Sequence, residues 1–365
     1  MNHEVELEPP VIRMPPFVQG EWLNSPPLTR EQLRGQVVLI DFWDYTCVNC
    51  VRTLPYLRAW HERYSSLGLV IVGIHAPEFG FARDQAQVKA AIAEFDLPYP
   101  VFLDNQYESW GHFANRAWPT KYLVDAAGYI RYKKQGEGAY QETEKAIQRL
   151  LQERDPAVGL PDIPPLLRPE DATGAVCYRP TPELHAGYDK GSLFHRGLGN
   201  PAGNIPDSPM IHDLPPARPE GHFYAAGIWR WQPENLTFAG ELEGRIHLPY
   251  SAVGVNAVLS PTADPVALML NLWQSETEPL IVVTQDGAPL PGWAAGRDIE
   301  FDETGRSLLS ITRPRLYEIV DNGVYGSHEL VLHFLTHGLA LFAFTFTTCV
   351  APSTSAGPNG TFAMG

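Results

Sequence analysis

The stretch Asp41-Phe-Trp-Asp-Tyr-Thr-Cys47-Val-Asn-Cys50 decides the fold of this chain. An apolar run at 37–40 precedes it, and a pattern typical of a helix begins at Cys47. Because the first N–H groups of a helix have no intrahelical partner, a thiol placed there is stabilised as a thiolate and its pKa is lowered. Cys50 lies one turn further on, where it can attack a disulfide formed at Cys47. The stretch therefore predicts a redox dithiol, with Cys47 attacking and Cys50 resolving.

Two domains are predicted from the pattern on either side of a linker. Residues 1–155 alternate apolar runs with helical patterns, which indicates an α/β domain with a mixed sheet. We expect its strands at 36–43, 69–74, 99–103, 121–124 and 129–133, and its helices at 47–65, 84–95, 106–115 and 139–153. Residues 156–175 lack periodicity and are predicted to be a linker, 176–350 are typical of an antiparallel β-sandwich, and 351–365 are predicted to be a flexible tail. Within the sandwich we expect strands at 222–228, 236–238, 241–248, 254–259, 267–273, 280–284, 307–312, 316–320, 329–334 and 339–346.

The charge balance limits the classes of partner. The formal net charge is −15, with 27 basic and 42 acidic residues, which argues against nucleic acid or an anionic membrane surface. No apolar run reaches the roughly 18 residues of a membrane helix, so we expect no membrane span. The first ten residues are acidic and have no apolar core, unlike a signal peptide. We therefore expect a cytoplasmic protein, or a periplasmic or extracytoplasmic one if a leader was removed.

The other cysteines and the histidines leave alternatives open. Cys177 and Cys349 either form a disulfide across the sandwich or remain two free thiols, and the missing export signal favours free thiols. No second close cysteine pair offers a zinc site. His328 and His333 would face opposite sides of an alternating strand. We expect no metal and no cofactor.

Several motifs carry a resemblance to a known family. Asp41-Phe-Trp, followed by Cys47-x-x-Cys50 and then Pro55, resembles the signature of the thioredoxin fold, and Trp118-Pro119-Thr120 resembles its cis-proline loop. The amino-acid sequences of residues 42–56 and 75–79 are similar to those of the DipZ-type domains in the TlpA-like branch of this fold. In that family a β-sandwich shaped like a carbohydrate-binding module follows the thioredoxin domain. The segments of this chain that resemble this second domain include residues 181–183, 222–224 and 343–346. DipZ proteins usually also carry an electron-transporting membrane domain, which we expect to be absent here.

The resemblance implies roles for individual residues. Asp41 takes the position of the family's buried acid, which would accept and return the proton of Cys50; Glu78, in the inserted segment, is the rival acid. Pro119 in cis would bring the backbone of Trp118 against the dithiol, where an extended substrate can pair with it. Trp43 and Trp118 would line the substrate surface, with core packing as the alternative for Trp43.

The sequence thus predicts a thiol-disulfide oxidoreductase that reduces disulfides of a protein or small-thiol substrate, fed by an unidentified electron donor. We expect the sandwich to position a substrate or a second copy of the chain. One alternative is a peroxiredoxin-type peroxidase, although the residues before Cys47 lack the Pro-x-x-x-Thr/Ser-x-x-Cys spacing that it needs. Another is a glycan or cell-envelope binding module with a vestigial redox domain. Four tryptophans of the sandwich could form an aromatic platform that binds sugar, or they could be part of the core: Trp229, Trp231, Trp273 and Trp293.

Overall fold

The computed structural model describes residues 5–179, 181–191, 197–201, 205–270, 272 and 279–352. The chain divides into two compact units. We call the unit made of Met1–Pro165 and Arg313–Leu316 the α/β domain, and the unit made of Leu166–Thr312 and Tyr317–Gly365 the β domain. Trp273 and most of the predicted tail lie outside the described residues. No helix in the described part of the chain has the length and apolarity to cross a bilayer.

The α/β domain has six strands and four α-helices among its described residues. In chain order they are β1 (Trp22–Leu23), β2 (Val37–Trp43), α1 (Val48–Tyr64), β3 (Leu69–His75), α2 (Gln85–Glu94), β4 (Val101–Leu103), α3 (Glu108–His112), β5 (Thr120–Val124), β6 (Ile130–Gln135) and α4 (Tyr140–Arg154). The strands form one mixed sheet in the order β1-β4-β3-β2-β5-β6. β3 runs parallel to β2 and β4, whereas β5 pairs antiparallel with β2 and β6. The predicted mixed α/β architecture is confirmed.

Burial explains why β2 lies at the centre of this sheet. All seven of its residues are buried, as expected of a strand covered on both faces. Gly73 of β3 lies opposite Asp41, and a Cβ at Gly73 would come within 3.0 Å of Nε1 of Trp43. The glycine therefore leaves room for the indole to pack across the sheet beside the start of α1.

The β domain contains thirteen strands and two short α-helices in the part that the structure describes. They are β7 (Val176–Cys177), β8 (Leu184–His185), α5 (Tyr188–Gly191), β9 (Pro209–His212), β10 (Tyr224–Trp231), β11 (Leu236–Phe238), β12 (Gly244–Ser260), α6 (Pro265–Met269), β13 (Leu280–Gln285), β14 (Ala288–Pro289), β15 (Ile299–Phe301), β16 (Ser307–Ser310), β17 (Arg315–Phe334), β18 (Ala340–Thr347) and β19 (Cys349–Val350). Eleven of the strands form one antiparallel sheet. The sequence prediction of an all-β domain is confirmed.

One long strand lets this sheet fold over its own core. The first part of β12 pairs with β10 and its last part pairs with β18, while β11 joins β10 to β18. These four strands thus close a ring. Aromatic and aliphatic side chains fill the enclosed core, including Trp229, Tyr250 and Phe344.

Three details of the predicted strands in the β domain were wrong. The segments 241–248 and 254–259 belong largely to the single strand β12, and 316–320 and 329–334 both belong to β17. Gly323 lies in the gap that we predicted between the latter two segments, yet it has a φ of 66° and is accommodated within β17 as a local irregularity. The predicted strand at 267–273 begins instead inside the helix α6. The side chain of its N-cap, Asp264, accepts hydrogen bonds from the N–H groups of Val266 and Ala267.

Cys177 and Cys349 form a disulfide in the β domain. They are directly opposite each other in the two-stranded pair of β7 and β19, with Cα atoms 4.0 Å apart. The expectation of two free thiols was wrong. Strand pairing brings these cysteines together although 172 positions separate them in the sequence.

Candidate active site

The two remaining cysteines lie at the N-terminus of α1. Cys47 is the N-cap, and its Sγ accepts a hydrogen bond from the backbone N–H of Cys50 at 3.2 Å. Cys47 is half-buried and Cys50 is fully buried, and both are free thiols. This asymmetry gives the predicted roles a structural basis, because an external disulfide can reach Cys47 whereas Cys50 is positioned to react with Cys47.

Burial changes the acidity of both thiols in a direction that the sequence did not predict. Burial raises the pKa of Cys47, and the charges of Glu78 and Asp44 raise it further, although hydrogen bonds from Cys50 lower it. The pKa of Cys50 is raised well above its usual value by burial and by its hydrogen bond to Cys47. The helix N-terminus is where we predicted it, but the predicted net lowering of the Cys47 pKa was wrong because desolvation outweighs the helix contribution.

Asp41 is a buried acid behind Cys50. Its side chain is 1% exposed, and burial raises the pKa of Asp41 to about 7, although the charge of Lys121 lowers it. The charge of Asp41 in turn contributes to the raised pKa of Cys50, so the two groups interact electrostatically. A carboxyl group that titrates near neutral pH is suited to accept a proton from a thiol and return it.

Lys121 faces Asp41 and was not identified from the sequence. The two residues are opposite each other in the β2–β5 pair, and Lys121 is 0% exposed. Burial lowers the pKa of Lys121, while the charges of Asp41 and Cys50 raise it. Within the described residues its Nζ donates no hydrogen bond and Oδ1 of Asp41 accepts none. A charged residue two positions after Pro119, inside an otherwise apolar strand, was the sequence signal that could have found it.

The Trp118–Pro119 peptide is cis, as predicted. The register of β5 on β2 places Thr120 opposite Phe42, so the preceding Pro119 lies at the end of β2 from which the dithiol follows. The indole Nε1 of Trp118 donates a hydrogen bond of 3.0 Å to the carbonyl of Ala76. The cis-proline loop and the segment that follows β3 are therefore joined at this end of the sheet.

Two further polar residues near the dithiol are Glu78 and Asp44. Glu78 is half-buried, and its charge is one cause of the raised pKa of Cys47. The main causes of the raised pKa of Cys50 do not include Glu78. Asp44 is fully buried, and its Oδ1 lies 3.2 Å from Nε2 of His75, which is also fully buried. Sequence reasoning missed both Asp44 and His75. The signal was an acidic residue between two aromatic residues in a stretch that ends a buried strand.

The structure corrects two expectations about aromatic residues. Trp43 is 1% exposed and packs edge-on to His75 with ring centroids 5.4 Å apart, so it does not line a substrate surface. In the β domain Trp229 is 0% exposed and belongs to the core, which removes it from the sugar platform, whereas Trp293 is 73% exposed. Trp118 is half-buried and stays a predicted substrate contact.

Each of the two domains matches a family of known proteins. Residues 14–151 match the family model described as Redoxin, and residues 181–347 match the one described as thioredoxin-like C-terminal domain. Thiol-disulfide oxidoreductase YkuV of Bacillus subtilis is 32% identical over 148 residues, covering 40% of this chain and 99% of YkuV. Protein DipZ of Mycobacterium bovis is 36% identical over 244 residues, which is 66% of this chain and 34% of DipZ.

This chain belongs to the thioredoxin-like thiol-disulfide oxidoreductases, the family of YkuV. The matched part is about a third of the length of its mycobacterial DipZ relatives, at 34%. The structure brings together four of the residues predicted from sequence, Cys47, Cys50, Asp41 and Glu78, and adds Lys121, Asp44 and His75 to them.

Proposed function

We propose that this DipZ-like protein works as a reductant of disulfides. The observation that supports this direction is the burial of both thiols, which raises the pKa of Cys47 and of Cys50. A dithiol is a strong oxidant when its reduced form is stabilised, as a low-pKa thiolate stabilises it. Where burial disfavours the thiolate, the reduced form loses that stabilisation, and the pair gives up its electrons more readily.

The proposed reaction has two steps. The Cys47 thiolate attacks one sulfur of the substrate disulfide, so that a Cys47–substrate bond forms, the substrate S–S bond breaks, and the departing sulfur takes a proton. Asp41 then accepts the Cys50 proton, and Cys50 attacks Sγ of Cys47, which breaks the Cys47–substrate bond and expels the second substrate thiolate. This thiolate takes a proton from water, and Asp41 releases its proton to water. The substrate gains two electrons and two protons, and the protein is left with a Cys47–Cys50 disulfide.

The substrate class follows from the exposure of the site. Cys47 is accessible only in part, and the half-buried Trp118 borders the cis-proline loop at the same end of the sheet. We propose that an extended peptide carrying a disulfide pairs with the backbone of Trp118, as strand addition to an exposed edge would allow. Regeneration needs two electrons, which a second dithiol protein of lower potential would supply.

Turnover of a disulfide substrate tests this function. The reduced protein is mixed with oxidised insulin or with glutathione disulfide, and released thiols are counted against time. We expect reduction by the parent and none by Cys47→Ser. A parent whose disulfide form oxidises dithiols, but whose reduced form reduces neither substrate, would show that the direction is wrong.

We also propose that the protein works in an oxidising compartment outside the cytoplasm. The Cys177–Cys349 disulfide supports this, because structural disulfides persist in such compartments and are rare in the cytosol. The test is alkylation of intact cells followed by mass analysis of the protein. A protein isolated from its host with Cys177 and Cys349 both alkylated as free thiols would contradict this location.

A further inference from the structure

Asp44 is fully buried three residues before Cys47, and its carboxylate has four hydrogen-bonding contacts. Oδ1 accepts from the Thr46 N–H at 3.2 Å and lies 3.2 Å from Nε2 of His75. Oδ2 accepts from the Thr46 hydroxyl at 2.9 Å and from the Glu78 N–H at 2.6 Å. So many contacts are what a buried charge needs in order to remain ionised.

These contacts tie together two segments that both approach the dithiol. The first is the turn 44–47, in which the Asp44 carbonyl accepts a hydrogen bond from the Cys47 N–H at 3.2 Å. The second is the segment 76–78 after β3, which Asp44 holds at the Glu78 N–H. The indole N–H of Trp118 donates a hydrogen bond to the Ala76 carbonyl of the same segment. One carboxylate thus fixes the distance between the Cys47 turn and the residue that carries the nearby Glu78 charge.

His75 supplies the partner for this charge. Its ring is 0% exposed, stacks on Tyr45 with centroids 5.6 Å apart and lies edge-on to Trp43. Its Nδ1 has no hydrogen-bond partner among the described residues, so Asp44 is the polar contact that orients the ring. Burial alone would raise the pKa of Asp44, but the contacts with His75, Glu78 and Thr46 bring it below its usual value, which keeps the carboxylate charged.

We propose that Asp44 is a positioning residue of the dithiol: its buried carboxylate, paired with His75, fixes the segment carrying Glu78 beside the Cys47 turn and restrains the reactivity of Cys47. A negative charge close to a thiol disfavours the thiolate, and the titratable groups that act on Cys47 are Cys50, Glu78 and Asp44. Asp44 thereby supports the reducing character of the pair, and this inference builds on the proposed function.

The test is the rate at which iodoacetamide alkylates Cys47 in the fully reduced protein between pH 5 and pH 10, followed by peptide mass mapping. Asp44→Asn removes the charge and keeps the shape. We expect its rate profile to move to lower pH, which raises the rate at pH 7 by about threefold to tenfold. The plateau at high pH should stay within about twofold of the parent, because the accessibility of the thiolate is unchanged.

Thr46→Val is the matched control, since it removes one hydrogen bond to Asp44 and leaves the charge in place. Its profile should overlay that of the parent. If Asp44→Asn does not fold, Asp44→Ser offers a smaller neutral side chain for which the same shift is required. A raised plateau with an unmoved midpoint, or an equal shift in Thr46→Val, would overturn the proposal. Alkylation needs no disulfide substrate, so a failure of the proposed reductase function is recognised separately in the turnover assay.

Discussion

The two cysteine pairs of this chain share their chemistry and differ in their surroundings. Cys47 and Cys50 lie three positions apart at the start of a helix, as free thiols next to buried charged groups. Cys177 and Cys349 are bonded to each other across a pair of short strands and come from distant parts of the sequence. Disulfide exchange needs an accessible sulfur and a place for the proton. Cys177 is exposed and Cys47 is half-buried, so accessibility does not distinguish the pairs. The distinguishing feature of the first pair is the buried carboxyl group of Asp41 beside Cys50, which can take up the proton.

The largest effect is expected from removing one sulfur of each pair in turn. Cys47→Ser should reduce disulfide turnover to the background rate, because the attacking thiolate is lost. Cys50→Ser should instead accumulate a mixed disulfide between Cys47 and the substrate, visible as an added mass. The double variant Cys177→Ser/Cys349→Ser is the control and should turn over within about twofold of the parent. A loss of turnover in that control would remove the functional distinction between the pairs.

The buried acid beside the first pair sharpens the comparison through pH. The pKa of Asp41 is raised from 3.8 to about 7 by burial, so the unfolded chain releases this proton at lower pH than the folded one. Stability should therefore fall as pH rises from about 4 to about 7. Asp41→Asn removes this loss and should increase the free energy of unfolding above pH 7 by on the order of 2–4 kcal/mol.

The measurement for Asp41→Asn is urea unfolding of the reduced protein at pH 5 and pH 8, with the rate of mixed-disulfide resolution taken on the same samples. We expect the variant to gain stability at pH 8 and to resolve the Cys47–substrate disulfide more slowly, since Cys50 has lost its proton acceptor. Equal stability differences at both pH values would contradict the raised pKa of Asp41.

The second pair should affect stability rather than activity. Replacing both Cys177 and Cys349 by Ser removes a link that restricts the unfolded chain, and we expect the β domain to lose about 2–4 kcal/mol. Thermal unfolding followed by a probe in the β domain, such as the signal of the buried Trp229, measures this loss. Unchanged stability would mean that the bond is not structural, and the contrast between the pairs would fail.

A smaller effect is expected from Lys121, the buried cation opposite Asp41 in the β2–β5 pair. Its positive charge lowers the pKa of Asp41. Lys121→Met should therefore raise that pKa further, by roughly one unit, and move the pH dependence of mixed-disulfide resolution to higher pH. Lys89→Met, at an exposed lysine of α2, changes the net charge equally and serves as the control. An identical shift in both variants would exclude a local role for Lys121.

Much of the α/β domain was predictable because its elements are short and strongly periodic. The apolar run of β2 and the dithiol after it indicate the strand, the helix start and the roles of the two thiols. The charged neighbours were harder to predict, since the burial of Lys121 depends on the register of β5 against β2. The direction of the Cys47 pKa was wrong because the sequence reveals the helix terminus but not the depth of burial that outweighs it.

The β domain was predictable in class but less so in detail. Alternation indicates strands, yet Gly323 lies in a predicted gap between two strands where the structure continues β17 through it. The spacing of Cys177 and Cys349 carries no information on the distance between them, which is set by the pairing of β7 and β19. Trp229 likewise suited either a surface or a core until its 0% exposure placed it in the core.

The most direct test of the account is the reduction potential of the two pairs, measured together. The protein is equilibrated in graded thiol/disulfide buffers, trapped by alkylation, and the blocked cysteines are assigned by peptide mass. We expect the Cys47/Cys50 pair to have a reduction potential of about −270 mV. The Cys177/Cys349 disulfide should have a reduction potential below about −300 mV, so that it stays bonded in the buffers that reduce the first pair. A Cys47/Cys50 pair that never closes, or that titrates near about −120 mV as an oxidant does, would contradict it.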